Sequence, residues 1–452
     1  MMHSGHKGTV VIVAYYYPPL VGIASERAAA LARHLPLLGW RVVVVTPAKG
    51  FYHGKAIEEA SHSGGPPSLP PHGVQVVRTR SPELSRGLRR IWETATRPSH
   101  PVEREASGVV RPVATGALGG ILRRKVREWL YLPDAQRAWV APAARAAGLA
   151  LRGVEGPRVI LSSSVPYSAH LAARRLSTRT GVPWVAEFRD PWTTAHESLR
   201  PRSRLRRKLD ERWEAAILRD AHAVVHTSRT TQEAVLQRFP PADPAGFSVI
   251  MNGFEPLPPG SPPSPDAPFL LLHAGTLAPG VDPSTTLEAV QRLHARHPGG
   301  VRFVHLGDPV PWREASEGRW RAAPWLETPG VVTPAEAREA MVDASANLVH
   351  VPGETYRAII PGKLLEYLGA RRPVLAIVPE GSEMEALGQR YGEVHLAPTG
   401  TAEEVHARLE VLWEAHRAGS LQTPRVESAV VEPLTRGAQA RKWSQLLEEV
   451  VR

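Results

Sequence analysis

A lysine and a glutamate three residues apart, Lys363 and Glu366, are the residues whose types and spacing first suggest chemistry. Side chains at this spacing share one face of an α-helix. If that helix starts from a glycine-containing loop at the carboxyl edge of a parallel sheet, its free amides and its dipole attract phosphate. A carboxylate one turn inside the helix can then hold the two hydroxyls of a ribose. The same spacing also suits an exposed ion pair on an ordinary helix.

The residues around this pair predict a loop, a helix, a turn and a strand, in that order. Pro361 and Gly362 suit a first helical turn, because a missing amide donor costs little there. Gly369 is a plausible helix end, and Pro373 prevents continuation. The run 374–378 is short, rich in β-branched residues and free of polar ones, which is typical of a strand covered on both faces.

Polar residues also follow a predicted strand at 184–188, where Arg189 and Asp190 come next. Ligands of parallel sheets bind at the carboxyl ends of the strands, so we expect Asp190 to face a ligand. The proline after it favours an extended backbone, which turns the side chain outward. An Asx-type turn or a local ion pair explains the same residues. Glu187 and His170 are weaker candidates, since a histidine at a helix start is more often a cap or a surface residue.

The composition is that of a globular enzyme. The chain has 452 residues, of which 42% are hydrophobic and 22% charged, and this length is typical of two to four domains. The absence of cysteine excludes disulfides, thiolate metal sites and cysteine nucleophiles. No apolar run reaches the roughly 18 residues that a membrane span needs. The N-terminus is polar, so we expect no signal peptide and a cytoplasmic location.

The formal net charge of +11 favours phosphates, nucleic acid or an anionic membrane face as partners. The basic tract, residues 199–213 (LRPRSRLRRKLDERW), holds seven lysines and arginines. It interleaves no series of aromatic residues, and no DNA-binding motif is present, so we expect no nucleic-acid partner. Attraction to anionic lipids makes peripheral attachment to the inner face of a membrane a hypothesis. A high arginine content can also simply reflect a GC-rich genome.

The order of the predicted elements indicates an α/β protein. A strand at 9–14, a helix at 24–38 and a strand at 41–46 form a βαβ unit, which predicts a parallel sheet with right-handed crossovers. Residues 257–268 (LPPGSPPSPDAP) form a proline-rich linker with a semi-rigid, extended backbone. A second series of strands and helices starts at 269. The sequence therefore predicts two α/β units joined by a linker.

Five segments, in order, resemble the family 4 glycosyltransferases: VVIVAYYYPPLVGIASERAAALARHLPLLGWRVVVVTP, WVAEFRDPWT, VIMNGFEP, LLHAGTL and PGKLLEYLGARRPVLAI. Members of this family are retaining enzymes with two facing Rossmann-like domains, an arrangement called GT-B. The resemblance implies an α/β fold with a parallel sheet in each domain. It implies an acceptor-side domain at 1–256, a nucleotide-sugar-binding domain at 269–435, and a final helix, 436–452, that returns to the first domain.

The resemblance also implies a reaction and its residues. The donor is a nucleotide sugar, and the acceptor is lipid-linked, a polysaccharide or a secondary metabolite. Asp190 positions the acceptor hydroxyl or acts as its base, and Arg189 and His170 lie on the acceptor side. No protein nucleophile is required if the acceptor attacks the face that the diphosphate leaves. The implied donor-binding residues are Gly22, Asn252, Gly275, Thr276, Gly362, Lys363 and Glu366.

The leaving diphosphate needs positive charge or amide donors around it. A divalent metal, usually held by an Asp-x-Asp pair, is one solution, but this chain contains no Asp-x-Asp. Helix amides with fixed cations are the other solution. We therefore expect no metal and no other cofactor.

Three positions depart from the family pattern. Gly22 is followed by isoleucine where a second glycine is common, Thr276 stands where a cation is common, and Ala358 stands where a first glutamate is usual. Lys363 is the candidate to replace the missing cation. These departures leave two alternatives open. One is a non-catalytic binding or assembly subunit with a degenerate glycosyltransferase fold, and the other is an epimerase or hydrolase acting on a nucleotide sugar.

Overall fold

A computed structural model describes residues 6–20, 22–49, 73–82, 132–195, 203–241, 243–258, 260–277, 281–310, 312, 320, 323–391, 394–398, 400–421 and 431–452. The first four residues of the basic tract, 199–202, lie outside these ranges. The described strands form two sheets, and every paired strand in both sheets is parallel to its neighbour. The predicted α/β class with two parallel sheets is confirmed.

The first sheet consists of β1 Gly8–Ala14, β2 Trp40–Pro47, β3 Val74–Thr79, β4 Arg158–Ser164, β5 Trp184–Phe188, β6 Ala223–His226 and β7 Phe247–Val249. Their order is β3-β2-β1-β4-β5-β6-β7, so the strand order switches between β1 and β4. Every residue of β1 and of β5 is buried, because helices cover both faces of the sheet. The helices in this half are α1 Ile23–Leu37, α2 Val140–Ala150, α3 Ser168–Thr180, α4 Arg204–Asp220 and α5 Arg229–Arg238.

The second sheet consists of β8 Phe269–Ala274, β9 Val301–Leu306, β10 Leu326–Gly330, β11 Ala346–His350, β12 Val374–Ile377 and β13 Val394–Leu396. Their order is β10-β9-β8-β11-β12-β13. The helices in this half are α6 Ser284–Arg296, α7 Pro334–Asp343, α8 Gly362–Gly369, α9 Glu383–Tyr391 and α10 Ala402–Arg417. One apolar cluster joins the sheet to α7, α8 and α9, and a second joins its other face to α6 and α10. Of these elements, β10, α9 and α10 are not predicted from the sequence, and neither are α2 and α5 in the first half.

The last helix, α11 Arg436–Val451, packs on the first sheet although it follows the second one in the chain. Trp443 and Leu447 lie in the same apolar cluster as α1 and β1. The indole nitrogen of Trp40 donates a hydrogen bond of 3.0 Å to Ser444 Oγ. The chain therefore passes twice between the two sheets, once through the proline-rich linker and once before α11.

These two passages touch each other and α8. Phe254 N donates to Leu434 O at 3.2 Å, and Arg436 N donates to Phe254 O at 2.9 Å. Gly369, the last residue of α8, packs so closely on the Phe254 ring that a Cβ there would lie 2.5 Å from Phe254 Cδ2. This contact sets how near α8 lies to the passages between the two sheets.

The Gly369 contact predicts a specific loss of stability. Gly369→Ala should lower the free energy of unfolding by about 1–3 kcal/mol, because the added methyl overpacks against a buried ring. The helical Gly437 is the matched control, since a Cβ there would meet its nearest described neighbour at an ordinary 3.8 Å. Gly437→Ala should be neutral or stabilising by up to about 1 kcal/mol. Urea unfolding followed by circular dichroism compares the two, and equal midpoints would contradict the packing argument.

Candidate functional site

The carboxyl end of β8 leads directly into a tight turn. Gly275 follows the strand with φ of 101°, a left-handed backbone that favours glycine, and its amide donates to Leu306 O at 2.7 Å. Thr276 is exposed at the tip of this turn. Helix α8 begins beside this turn. A Cβ placed on Gly275 would lie 4.0 Å from the ammonium nitrogen of Lys363, which is in the first turn of α8. The structure therefore brings four predicted donor-binding residues together: Gly275, Thr276, Gly362 and Lys363.

Lys363 reaches from α8 to this turn. Its ammonium donates to Thr276 O at 2.9 Å and to His273 Nε2 at 3.0 Å. Burial lowers the pKa of Lys363 to about 8, so the side chain is still mostly protonated at neutral pH. The cation that the Gly275 turn lacks in sequence is thus supplied in space by Lys363. Lys363 and Glu366 do not pair with each other among the described contacts.

Glu366 faces the passage between the sheets. Its carboxylate lies 3.5 Å from the Arg436 guanidinium, and its side chain is 27% exposed, so it is neither sealed in a core nor free in solvent. Arg436 also approaches Glu26 at 3.4 Å and Glu255 at 3.9 Å. Burial raises the pKa of Glu366, while the Arg436 charge opposes that rise. The carboxylate is therefore placed where a ligand between the two halves can reach it.

Asp190 lies at the carboxyl edge of the first sheet, directly after β5. Its neighbour Arg189 donates to the carbonyl oxygens of Ser164 and Val165, which fixes the end of β4. Thr227 Oγ1 donates a hydrogen bond to Arg189 O at 2.7 Å. The next residue, Ser228, donates to Ala358 O in the second half of the molecule. Asp190 is half-buried at this edge. The Arg189 side chain is occupied by backbone, so its described contacts are structural.

His170 does not lie on an acceptor surface, and the sequence-based expectation for it needs correction. The side chain is fully buried in the layer of helices, 4.5 Å from the Phe188 ring between centroids. Ser162 Oγ accepts a hydrogen bond from Trp184 Nε1 at 2.7 Å and lies within hydrogen-bond distance of His170 Nδ1, at 2.7 Å. Burial lowers the pKa of His170 to about 3. The histidine is a neutral core residue.

Arg27 is a site-forming residue that the sequence analysis missed. Its guanidinium donates to Glu187 Oε1 at 2.5 Å, to Asn252 Oδ1 at 3.0 Å, and to the carbonyls of Ile250 and Met251. Glu187 is completely buried, so it is the counter-ion of Arg27 and not an acid or base for a ligand. Asn252 is held by the same guanidinium. The sequence did contain a signal for this pair. Arg27 lies on the apolar face of α1, and a charge buried there requires a partner.

The structure also describes the surroundings of Gly22 and Ala358. Gly22 precedes α1 with φ of 129°, and no atom of the described residues lies within 4 Å of a Cβ placed on it. Ala358, the position of the missing family glutamate, uses its backbone instead. Its carbonyl accepts from Ser228 Oγ at 2.9 Å and from Thr231 Oγ1 at 3.3 Å, both from the first half. Glu354, the nearest acidic residue, is paired with Arg357 at 2.6 Å on the surface.

The sequence analysis also missed a group of histidines behind Lys363. His273, His305 and His350 end or nearly end β8, β9 and β11, and all three are completely buried. Histidines near the ends of three strands that are otherwise mostly apolar were the available signal. In the described part of the chain, no three His, Asp or Glu side chains are grouped so that they could hold a metal ion. No described helix has the length and apolar character that crossing a bilayer requires.

A family model described as "Glycosyl transferase 4-like domain" matches residues 24–253 of this chain. The match spans about half of the 452 residues and includes Arg27, Asp190 and Asn252. No sequence among curated proteins matches the chain.

Solved structures similar to this chain cover nearly its whole length. A sucrose-phosphate synthase from Thermosynechococcus elongatus is 15% identical with a TM-score of 0.62, and the alignment covers 98% of both chains. Alr3699/HepE from Anabaena, in complex with UDP and glucose, is 14% identical with a TM-score of 0.61 over 98% of this chain and 99% of that one. A glycosyltransferase from Rickettsia africae is 11% identical with a TM-score of 0.57 over 100% of both. At these identities the similarity establishes a shared fold.

The buried Arg27–Glu187 pair predicts a stability effect that separates a structural from a catalytic glutamate. Arg27→Met leaves the Glu187 carboxylate buried without its cation, so we expect a loss of about 3–5 kcal/mol in the free energy of unfolding. Arg27→Met combined with Glu187→Gln removes the uncompensated charge and should recover a large part of that loss. Chemical denaturation of both variants measures the difference. A double variant no more stable than Arg27→Met would contradict the pairing.

Proposed function

The chain belongs to the glycosyl transferase 4-like family, and we propose that it transfers a sugar from a nucleotide-sugar donor to an acceptor presented at an anionic membrane face. The observation that carries this proposal is the position of Lys363. Its ammonium is held at the Gly275 turn by Thr276 O, beside the first turn of α8. A fixed cation and free helix amides at one point form a binding site for a diphosphate. The UDP and glucose present in the Anabaena structure support the same class of donor here.

The leaving group is stabilised without metal in this proposal. As the glycosidic bond breaks, negative charge grows on the diphosphate, and the Lys363 ammonium and the α8 amides already face it. Groups that are fixed before reaction need no reorganisation, so they stabilise the transition state more than mobile solvent does. The sequence contains no Asp-x-Asp pair of the kind that usually holds a divalent metal beside the diphosphate.

Glu366 holds the ribose in this proposal. It lies on α8 one turn after Gly362, so a nucleoside bound with its diphosphate at the helix start extends along the helix toward it. The carboxylate can accept hydrogen bonds from both ribose hydroxyls, and its partial exposure leaves it accessible. Displacing the 3.5 Å contact to Arg436 costs little, because that arginine keeps Glu26 and Glu255 as neighbours.

Asp190 acts on the acceptor in this proposal. It lies at the carboxyl edge of the first sheet, near the contact between Ser228 and Ala358 that joins the two halves. From there its carboxylate can orient an acceptor hydroxyl and take its proton as the new glycosidic bond forms. Attack on the face that the diphosphate leaves gives retention of configuration without a protein nucleophile.

The acceptor is lipid-linked in this proposal because of the charge on α4. Arg204, Lys208 and Arg212 are exposed at intervals of four residues and therefore lie along one face of the helix. Arg206 has a different role, since it is buried and pairs with Asp210 at 3.0 Å. The exposed face is the part of the basic tract that is suited to anionic lipid.

A non-catalytic subunit with the same fold is the second candidate, and Ala358 is the observation in its favour. A carbonyl tied to Ser228 and Thr231 cannot replace a glutamate that contacts the donor sugar. Calorimetry with a panel of nucleotides and nucleotide sugars separates the candidates, because a purely structural subunit binds none of them. Product analysis with the donor alone separates transfer from epimerisation or hydrolysis.

The role of Glu366 gives the central test. Glu366→Ala should lower kcat/KM for the donor about 100-fold or more, since each hydrogen bond to a charged group contributes about 1.5–3 kcal/mol and two ribose hydroxyls are involved. Steady-state transfer assays measure the effect. Glu327→Ala is the matched control, because Glu327 is an exposed surface partner of Arg302 far along the second sheet. Wild-type transfer by a folded Glu366→Ala variant would refute the assignment.

The charge on α4 gives a second test. The protein should co-sediment with vesicles that contain about one third anionic lipid in low salt and dissociate in high salt, where charges are screened. Changing Arg204, Lys208 and Arg212 together to glutamine should weaken binding about 100-fold, at about 1 kcal/mol for each charge.

The control for this test removes the same charge elsewhere. Arg41, Arg152 and Arg158 are exposed near the amino-terminal edge of the first sheet, so their change to glutamine should leave binding nearly intact. Equal weakening by both triple variants, or binding that is insensitive to salt, would exclude a specific membrane face on α4.

A further inference from the structure

Three completely buried histidines stand directly behind Lys363, and the proposed function assigns them no role. His273, His305 and His350 surround the buried Trp312 ring at centroid distances of 5.3, 5.3 and 6.2 Å. Burial lowers the pKa of each of these histidines, in the case of His350 to about 4. All three are therefore neutral near pH 7, and each carries one N–H donor and one nitrogen acceptor.

Two of these histidines form a chain of hydrogen bonds that ends at Lys363. His305 Nε2 lies 2.9 Å from Asp308 O, His305 Nδ1 lies 2.8 Å from His273 Nδ1, and His273 Nε2 lies 3.0 Å from Lys363 Nζ. The carbonyl oxygen of Asp308 can only accept, so His305 carries its proton on Nε2. His305 Nδ1 is then an acceptor, which places the His273 proton on Nδ1. His273 Nε2 must in turn accept from Lys363.

These hydrogen bonds cannot run in the opposite direction. That direction would place an acceptor nitrogen of His305 against the Asp308 carbonyl, which has no proton to donate. A doubly protonated His305 would remove that conflict, but burial disfavours a second charge beside Lys363. His350 is outside the chain, because its Nε2 lies 3.1 Å from Asp282 O and its Nδ1 lies 2.7 Å from Thr286 Oγ1.

We propose that His273 is a positioning residue for Lys363, and that His305 together with the Asp308 carbonyl fixes the His273 tautomer that makes this possible. Of the three N–H groups of the Lys363 ammonium, His273 and Thr276 take two. The third has no partner among the described residues, and the ammonium nitrogen lies 4.0 Å from a Cβ placed on Gly275. This inference rests on the proposed function in one respect, namely that the third N–H serves a diphosphate oxygen.

The arrangement supplies acceptors without adding a counter-charge. A carboxylate in the place of His273 would neutralise Lys363 and compete with the diphosphate for it. A neutral imidazole holds the ammonium in place and leaves its charge available to the ligand. The titratable groups of the second sheet that face Lys363 are His273, His305 and His350. Asp282 contacts His350 and Asp308 contacts His305, and neither aspartate has a described hydrogen bond to Lys363.

The first experiment measures the tautomers in the full chain without ligand. Long-range nitrogen–proton NMR spectra of protein labelled with ¹⁵N-histidine distinguish Nδ1–H from Nε2–H, and single His→Gln variants assign the signals. We expect Nδ1–H for His273 and Nε2–H for His305. Nε2–H on His273, or a rapidly averaging mixture, would overturn the proposal regardless of whether the protein transfers a sugar.

The second experiment measures how affinity depends on pH. Calorimetry with the tightest-binding of UDP, GDP, ADP and dTDP should give a dissociation constant that rises about tenfold from pH 7 to pH 9, because binding needs protonated Lys363. Lys363→Met should bind weakly and show no such rise, which corrects for titration of the nucleotide itself.

Variants of His273 separate positioning from packing. In His273→Leu the ammonium loses an acceptor, so affinity should begin to fall at a lower pH than in the wild type, with a loss of about tenfold at pH 8. His273→Gln places an amide oxygen near the former Nε2 and should restore the wild-type profile. A His273→Leu protein that is folded by circular dichroism and has an unshifted profile would overturn the proposal.

Failure of the proposed function and failure of the positioning role of His273 give different results. If none of the four nucleotides binds, the proposed function fails, and the tautomer measurement still decides the arrangement around Lys363. If a nucleotide binds with the wild-type pH dependence in all His273 variants, the donor site stands and the positioning role is refuted.

Discussion

A partly buried ammonium group needs hydrogen-bond acceptors on every side that water cannot reach, and the candidate donor site is built around this constraint. Lys363 meets it with a backbone carbonyl at Thr276 and a ring nitrogen of His273. His273 is the second-last residue of β8 and Thr276 follows two residues after its end, so the first turn of α8 lies against the carboxyl end of that strand. The left-handed backbone of Gly275 allows the chain to turn there. The helix start, the cation and the glycine turn therefore depend on one another, and a change at any of them moves the other two.

A second charge network connects this site to the joint between the two halves. Arg436 begins α11 and lies among Glu26 of α1, Glu255 after β7 and Glu366 of α8. Its backbone and the tight contact of Gly369 with Phe254 place α8 beside both passages of the chain between the sheets. If Glu366 holds a ribose as proposed, donor binding draws a carboxylate away from this network. Donor occupancy and the relative placement of the two sheets then share one energetic term, which is the small cost of losing that contact.

The elements that could be predicted are those with strong local patterns. Strand β5 has the predicted bounds, and β1 and β2 lie within one residue of theirs at each end, because each is a largely apolar run. Strand β10 (LETPG) lies at the sheet edge and contains proline, so it carries no such pattern. Helix α10 did carry a signal, with Thr401 as its cap and Val405, Leu409 and Leu412 on its buried face, and it could have been predicted.

The sequence by itself determined the α/β class, the two parallel sheets and the segment that contains Lys363 and Glu366, since apolar periodicity and turn residues act over short stretches of chain. Only the tertiary structure decided which groups these residues meet. His273 is 90 residues from Lys363, and Glu187 is 160 residues from Arg27. The same packing sealed His170 in a core and gave the Ala358 carbonyl two hydroxyl partners. Hydrogen-bond partners depend on distances of a few ångströms between elements far apart in the chain, and no local pattern contains those distances.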